Sequence, residues 1–363
     1  MALAFLYLFL CAMRFMSHGF KGLAKIDAAN DFIESTFAHA ANPFIALTAG
    51  VLATVIAQSS SFTTSLIITL VFAGQLDFDA GVFAVMGANI GTSVTSTIAA
   101  LGSLRIRRQF RRSFTAAIIH DVFNLLSVAV LFPLEWSTGI IRRTTLYLSH
   151  GLGIKEVENP TNFVKTITKP VVSFGDWLVH LVTQNELAVL ITLAAIGLLL
   201  LLLSLGLLVK NLKGALLHRL EGLFRKVFFR NDLVAYVTGA ITTVLVQSSS
   251  ITTSLIVPLA GAGAVKLRRV FPYVLGANLG TTVTGLIAAT ANPQVEAVAV
   301  AFAHVTFNLL GTALWYPLRV VPITLARKYG RLAARKKAYA LAYLFTVFIV
   351  IPLIGLLITE LIL

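Results

Sequence analysis

Long stretches of the chain carry no charged residue, and two of them have a length that fits neither one nor two membrane helices. Residues 44–76 and 233–265 each contain 33 uncharged residues, with the tetrapeptide Gln-Ser-Ser-Ser near the centre at 58–61 and 247–250. One helix needs about 20 residues to cross the hydrocarbon core of a bilayer, and two helices need about 40. Each half-stretch therefore predicts a helix only about 21 Å long. The pattern predicts two re-entrant hairpins, whose polar tips can lie at membrane depth only where they line a protein cavity.

Seven further apolar segments have the length of membrane spans, although the first is interrupted by Arg14. They are 2–20, 80–104, 113–134, 187–209, 270–292, 297–318 and 338–359. Two of them contain the motif Gly-Ala-Asn-x-Gly-Thr, at 87–92 and 276–281. Glycine permits unwinding, so the motif predicts a broken helix, with a kink or a close-packing seam as the alternative. The fold class predicted is an all-α polytopic membrane protein.

The motifs recur at a constant spacing along the chain. The four tip residues return 189 residues later, and so do Gly87 and Asn89 of the glycine motif. Nine of the ten residues that begin at Gln58 match their counterparts, as do seven of the nine that begin at Gly87. Residues 120–126 resemble 304–310 at an offset of 184. Similarity at this polar spacing predicts two repeats of one architecture.

The repeats divide the chain into four parts and have a predicted orientation. The parts are a first membrane repeat at 1–134, an extracytoplasmic loop at 135–186, a second membrane repeat at 187–325, and a basic loop with a final span at 326–363. Three full crossings separate the hairpins, and an odd number turns the second repeat upside down. Asp77 follows the first hairpin whereas Lys266 follows the second, so the positive-inside rule predicts the same inversion. Inverted repeats with discontinuous helices are typical of secondary transporters.

Composition narrows the possible functions. Hydrophobic residues make up 57% of the chain and charged residues 12%, as in membrane proteins. The net charge of +14 lies in short loops and forms no single basic face, which argues against nucleic-acid binding. A single cysteine, Cys11, excludes an internal disulfide and a cysteine metal cluster. The N-terminus shows no basic region or cleavage signal, so we interpret it as a retained span and not a signal peptide.

The hairpin tips combine the chemistry of an anion site and a cation site. The helix that starts at each tip presents unpaired N–H groups and a positive dipole end, which suit an oxyanion. The carbonyls that end the preceding helix, with hydroxyls and amide oxygens, suit a monovalent cation. Bridging of packed helices by Ser and Thr is the alternative. The predicted substrate-binding residues are Gln58, Ser59, Ser60, Ser61, Gln247, Ser248, Ser249 and Ser250. The predicted cation ligands are Thr63, Thr64, Asn89, Thr92, Asp121, Thr252, Thr253, Asn278 and Thr281.

Three other polar features lie inside predicted spans. His120 and Asn124 share a helix face, as do His304 and Asn308, and hydrogen bonding between helices is favoured over direct ligation for both pairs. Asp121 is an acid whose counterpart in the second repeat is valine, and we interpret it as part of a cation site present only in the first repeat. Pairing with an arginine on another segment is the alternative. Motifs of hydrolases, metalloproteases and phosphate-binding loops do not occur, so neither enzyme activity nor a cofactor is predicted.

Taken together, these residues resemble the type II sodium–phosphate cotransporter family over about residues 1–325. The doubled Gln-Ser-Ser-Ser and both Gly-Ala-Asn motifs carry the resemblance, together with shorter matches. The shorter matches are Phe110-Arg111-Arg112, His120-Asp121, Phe123-Asn124, Phe132-Pro133-Leu134-Glu135 and Leu314-Trp315-Tyr316-Pro317. The resemblance implies sodium-coupled uptake of inorganic phosphate by alternating access across a lipid bilayer, with Na⁺ as the coupling ion at both tips.

The resemblance also indicates a setting, and it leaves alternatives open. The external loop is shorter than in the animal members and lacks their cysteine pair, which favours a bacterial inner-membrane transporter. A sodium symporter for another oxyanion or a small carboxylate is one alternative, and an anion channel is another.

Overall fold

The computed structural model describes residues 2–23, 25–26, 42–151, 163–227, 231–291 and 293–362. Every regular element among these residues is helical, which confirms the all-α class. The helices are α1 (Ala2–Leu23), α2 (Pro43–Ala57), α3 (Ser60–Phe72), α4 (Phe78–Thr92), α5 (Val94–Leu101), α6 (Arg107–Thr138), α7 (Ile140–Gly151), α8 (Phe163–Val182), α9 (Glu186–Val227), α10 (Asp232–Val246), α11 (Ser249–Ala262), α12 (Leu267–Ala291), α13 (Val295–Trp315), α14 (Val320–Arg335), α15 (Ala338–Phe345), a π-helical turn (Thr346–Val350) and α16 (Ile351–Ile362).

Six helical segments in the described part of the chain are long and apolar enough to cross a membrane. They are Phe78–Leu101, Arg107–Thr138, Glu186–Leu207, Leu267–Ala291, Val295–Trp315 and Ala338–Leu357. Each corresponds to one of the six later spans predicted from the sequence. The first predicted span forms α1, which is not among the six and packs along α9. The chain is therefore a multi-pass membrane protein.

The segments predicted as loops contain additional helices. The predicted extracytoplasmic loop includes α7 and α8, and the basic segment before the last span includes α14. Helix α14 buries Ile323, Ala326, Gly330 and Ala333 and packs against α6. Spacings of three and four residues place these side chains on one face of a helix, and the basic residues of α14 lie exposed outside that face. These segments are therefore not the simple loops that their polarity suggested.

Each Gln-Ser-Ser-Ser segment separates two short helices, as the uncharged stretches predicted. Two residues lie between α2 and α3, and two between α10 and α11. The first of the two is a glutamine in the left-handed conformation, with φ of 54° at Gln58 and 56° at Gln247. No other described residue except glycine has a positive φ. This conformation costs of order 1–3 kcal/mol for a residue with a side chain, so the surrounding contacts must stabilise it.

The glycine motifs do not unwind their helices as predicted. Helix α12 continues without interruption from Leu267 to Ala291, so the break expected at 276–281 is wrong. In the first repeat α4 continues through the motif to Thr92, and the interruption falls at Ser93, before α5 begins.

The glycines instead allow two helices to pack at very short distance. A Cβ at Gly87 would collide with the carbonyl oxygen of Leu47 in α2. In the second repeat a Cβ at Gly276 would collide with the carbonyl oxygen of Tyr236 in α10. The first helix of each hairpin thus packs backbone to backbone on the long helix of its own repeat, which is the close-packing alternative.

The open ends of the two hairpins lie near opposite ends of α6. Phe44, at the start of the first hairpin, packs on Phe132 and Trp136, with ring centroids 4.8 and 5.4 Å apart. Gly263, at the end of the second hairpin, lies against the guanidinium of Arg112. Arg112 and Phe132 are 20 residues apart in the same helix. That separation is about 30 Å along the helix axis, close to the thickness of a hydrocarbon core.

Charged contacts fix the start of the second hairpin. Asp232, the first residue of α10, forms ion pairs with Arg269 and Arg319. Burial alone would raise the pKa of Asp232, but hydrogen bonds and charge from Arg319 and Arg269 hold the pKa below its usual value. The hairpin is thereby tied to α12 and to the segment that follows α13.

Candidate functional site

The tips of the two hairpins meet inside the protein. The Ser61 hydroxyl donates to the carbonyl oxygen of Gln247 at 3.4 Å and lies 3.4 Å from the Thr284 hydroxyl. Ser250, the counterpart of Ser61, donates to the carbonyl oxygen of Thr92 at 3.2 Å. Each tip therefore contacts the other repeat, and the predicted substrate-binding residues of both tips lie in one region.

The two tip glutamines make the same hydrogen bonds in both repeats. Each Nε2 donates to the carbonyl oxygen three residues earlier, at 2.8 Å for Gln58 and 2.6 Å for Gln247. Each Oε1 accepts from a threonine hydroxyl, from Thr95 of α5 at 3.0 Å and from Thr284 of α12 at 2.7 Å. These bonds hold the glutamines in the left-handed conformation. Gln58 also lines a cavity of about 540 Å³ whose other walls are apolar residues of α2, α5 and the last span.

The first turns of α3 and α11 carry the remaining tip serines. Ser59 and Ser248 cap these helices by accepting the backbone N–H three residues later, at 3.2 and 3.3 Å. Ser60 and Ser249 follow and are buried. The other N–H groups of a first turn have no acceptor within the helix, and the helix dipole is positive at this end. Two such helix starts close to one another are suited to an oxyanion.

Most of the threonines predicted as cation ligands donate to carbonyl oxygens of their own helix turn. They are Thr63, Thr92, Thr252, Thr253 and Thr281, with oxygen–oxygen distances between 2.7 and 3.2 Å. A hydroxyl that donates its proton in this way keeps its lone pairs available to a cation. Thr64 Oγ1 is buried and has no hydrogen-bond partner among the described residues.

Other buried hydroxyls without a partner among the described residues occupy equivalent positions in the two repeats. Thr54 and Thr243 form one such pair, and Ser65 and Ser254 form another. Buried polar groups nearly always have a hydrogen-bond partner, so these oxygens are candidate ion ligands. These four residues were not predicted from the sequence, in which the available signal was the shared offset of 189 residues within each pair.

Four buried asparagines connect the repeats. Asn308 Nδ2 donates to Asn89 Oδ1 at 3.1 Å, and Asn278 Nδ2 donates to Asn124 Oδ1 at 2.8 Å. Asn124 Nδ2 in turn donates to the carbonyl oxygen of Asn89 at 2.6 Å. The predicted hydrogen bonding between helices is confirmed for Asn124 and Asn308. Both ring nitrogens of His120 and Nδ1 of His304 have no hydrogen-bond partner among the described residues, so the prediction does not hold for these atoms. Asn89 is a less available cation ligand than predicted, because its amide oxygen already accepts a hydrogen bond.

Asp121 is fully buried and has hydroxyl neighbours. Thr97 Oγ1 donates to Asp121 Oδ2 at 3.0 Å, while Asp121 Oδ1 has no hydrogen-bond partner among the described residues. Ser93 and Tyr343 lie beside the carboxylate. No lysine or arginine that the structure describes forms an ion pair with it. The arginine alternative therefore has no support in this part of the chain, and a carboxylate among hydroxyls is a candidate cation ligand.

This chain is similar to known sodium-dependent phosphate transport proteins. The sequence model of the family described as Na⁺/Pi-cotransporter matches residues 8–144 and 200–334. The sodium-dependent phosphate transport protein 2A of Oryctolagus cuniculus is 35% identical over an alignment that covers 96% of this chain and 65% of that protein. The sodium-dependent phosphate transport protein 2B of Homo sapiens is 30% identical over an alignment that covers 97% of this chain and 64% of that protein. The chain thus spans just under two thirds of the length of these relatives. No solved structure matches it.

Proposed function

This chain belongs to the Na⁺/Pi-cotransporter family, and from that membership we propose that it is a secondary active transporter that takes up inorganic phosphate together with sodium. The relatives named above are described as sodium-dependent phosphate transport proteins. The observation that carries the proposal is the contact between the two Gln-Ser-Ser-Ser tips, in which Ser61 donates to the carbonyl oxygen of Gln247. Each tip has groups for an anion and for a cation, and the contact brings both sets together.

Phosphate binding at the tips would depend on sodium for electrostatic reasons. Neither hairpin stretch contains a lysine or an arginine. Two helix N-termini and the serine hydroxyls supply part of the positive field, and bound sodium supplies the rest. Sodium then increases phosphate affinity and phosphate increases sodium affinity by the same factor, which is the coupling that a symporter needs. The residues that we assign to phosphate are Gln58, Ser59, Ser60, Ser61, Gln247, Ser248, Ser249 and Ser250.

Sodium would bind to hydroxyl, amide and carboxylate oxygens around the tips. The proposed ligands are Thr63, Thr64, Asn89, Thr92, Asp121, Thr252, Thr253, Asn278 and Thr281. Asp121 would serve a site in the first repeat alone, because the second repeat has valine at the equivalent position. The unpartnered hydroxyls of Thr54 and Thr243 add candidate ligands at equivalent positions in both repeats.

The positions of the hairpins along α6 support an inverted-repeat arrangement with alternating access. The first hairpin opens near one end of the helix and the second hairpin opens near the other, about 30 Å away. Hairpins that enter from opposite sides would meet at the midplane, where substrate sites of inverted-repeat transporters lie. The positive-inside rule favours a cytoplasmic position for the basic segments, and we assign the transporter to the cell membrane.

The test is uptake of ³²P-phosphate into proteoliposomes with and without a sodium gradient. We expect saturable uptake that requires sodium and that arsenate inhibits more than sulfate. Ser60→Ala and Ser249→Ala should each weaken phosphate binding about 10- to 150-fold, since a lost hydrogen bond to a charged group costs about 1.5–3 kcal/mol, and the double variant should weaken it further. Ser137→Ala is the matched control, because Ser137 is exposed and bonds only within α6. Near-normal uptake by the double variant, or phosphate flux without sodium coupling, would contradict the proposal.

A further inference from the structure

Four arginines line one cavity near the N-terminal end of α6, which is the end opposite to the one that Phe44 contacts. The cavity has a volume of about 380 Å³. Its lining residues are Arg111, Arg112 and Thr115 of α6, Leu267 of α12, and Arg327 and Arg331 of α14. It is separate from the proposed transport site, because none of its lining residues is a proposed ligand and Arg112 lies nine residues from Asp121 in α6, or about 13.5 Å along the helix axis.

Close packing of α14 on α6 holds the walls of this cavity in place. Gly330 faces α6, and a Cβ there would collide with the Thr115 hydroxyl. Thr115 Oγ1 donates to the carbonyl oxygen of Arg111 at 2.6 Å, and Arg331 Nε donates to the carbonyl oxygen of Arg327 at 3.3 Å. The basic side chains therefore come from two helices whose approach is fixed by backbone and glycine contacts.

The charge in this cavity is not balanced by protein groups that the structure describes. None of the four arginines forms an ion pair with a described carboxylate. The positive-inside rule accounts for basic residues at this end of the molecule. It does not account for four of them around one cavity, where like charges repel one another unless an anion is bound.

We propose that this cavity binds a phosphate group, carried either by the headgroup of an anionic lipid or by inorganic phosphate. The guanidinium group is planar and presents paired N–H donors that match the oxygens of a phosphate. The site lies at the membrane end that the basic segments place in the cytoplasm, where both sources are present. It goes beyond the proposed transport function, and the tips contribute nothing to it.

The test measures binding to the purified protein in neutral detergent and sodium-free potassium buffer, in which the proposed transport site lacks its coupling ion. The probes are ³²P-phosphate and fluorescent phosphatidylglycerol, with fluorescent phosphatidylcholine as the uncharged reference. Arg111→Gln/Arg331→Gln removes one arginine from each wall. Arg108→Gln/Arg335→Gln removes the same charge from the same two helices at exposed positions that do not line the cavity.

We expect the cavity variant to bind one of the two anionic probes at least about tenfold more weakly, while the control variant binds it as the wild type does. Loss of phosphatidylglycerol binding alone identifies a lipid headgroup as the ligand, and loss of phosphate binding alone identifies free phosphate. The proposal is overturned if the cavity variant binds both anionic probes as strongly as the control variant does. It is also overturned if the wild type neither binds phosphate nor prefers phosphatidylglycerol to phosphatidylcholine.

Discussion

Replacement of Asp121 by asparagine should remove one transported sodium ion while preserving the packing around the side chain. Asparagine has nearly the same volume and keeps an oxygen that can accept the hydrogen bond from Thr97. It has no negative charge to offset a bound cation. If Asp121 serves a sodium site, the variant should still carry phosphate but move one fewer positive charge in each cycle.

The size of the effect follows from the membrane potential. One elementary charge that crosses 100 mV contributes about 2.3 kcal/mol. Loss of that charge lowers the phosphate accumulation that a potential of about 100 mV can support by about 50-fold. Equal sodium concentrations on both sides of the membrane make the potential the only driving force, so this factor can be measured alone.

The assay is the charge-to-phosphate ratio in proteoliposomes with a potential set by potassium and valinomycin. Glu135→Gln is the matched control, because Glu135 is also a buried acid in α6. Its carboxylate accepts the backbone N–H groups of Ile141 and Arg142 at 2.6 and 3.1 Å, so its role is to cap α7. The control should keep the wild-type ratio. An unchanged ratio in Asp121→Asn that still transports would refute the sodium-site reasoning.

Three further results are expected. Gly276→Ala should lower the midpoint of thermal unfolding, since overpacking costs about 1–3 kcal/mol. Gly206→Ala is the control and should not lower it, because a Cβ at Gly206 has no atom within 4 Å. Equal midpoints for the two variants would contradict the packing role of Gly276. Single cysteines at His150 and Lys336 in a cysteine-free background should react with an impermeant reagent from opposite sides of the membrane, and reaction from one side would contradict the inverted topology. Asp232→Asn should lower the stability of the protein at neutral pH, because it removes the charge that pairs with two arginines. The pKa of Asp232 is held low by these arginines, so the stability difference from wild type should shrink as the pH falls below about 4 and the carboxylate is protonated. A stability difference that does not change with pH would contradict this.

The hairpins could be predicted from the sequence because their signal is local. The absence of charge over 33 residues and a polar tetrapeptide at the centre determine where two short helices end and begin. The structure places the junctions at Gln58 and Gln247, where the sequence predicted them. An uncharged stretch of this length with a polar tetrapeptide at its centre leaves few other ways to satisfy the backbone at membrane depth.

The glycine motifs were misread because the sequence does not show what approaches a glycine. Unwinding and close packing both require a missing Cβ, so Gly276 is compatible with either. The deciding fact is that the carbonyl oxygen of Tyr236 occupies the position of the Cβ. That contact joins residues of two different helices and cannot be read from the spacing within one motif.

The surroundings of Asp121 could be predicted only in part for the same reason. The sequence indicates that an acid inside a span needs a partner or a function. Its neighbours Thr97 and Tyr343 come from two other segments, and Tyr343 belongs to the last span, for which no role was predicted. A π-helical turn follows Tyr343 at Thr346–Val350, and such turns are frequent at functional sites.

The contacts within a repeat and those between the tips differ in kind, and the difference bears on how the transporter would move. Within a repeat, Gly87 and Gly276 bring helix backbones together, and no side-chain rotation can release such a contact. Where each tip meets the other repeat, Ser61 and Ser250 donate to the carbonyl oxygens of Gln247 and Thr92 at 3.4 and 3.2 Å. These hydrogen bonds are long for a hydroxyl donor and contribute about 0.5–1.5 kcal/mol each. Separation of the tips therefore costs little, whereas separation of a hairpin from its long helix costs much. Phosphate that contacts both tips would favour their closed arrangement, because a ligand shifts an equilibrium toward the state in which it makes more contacts. We therefore expect each hairpin to move together with its long helix, and the binding of phosphate and sodium to determine when the tips separate.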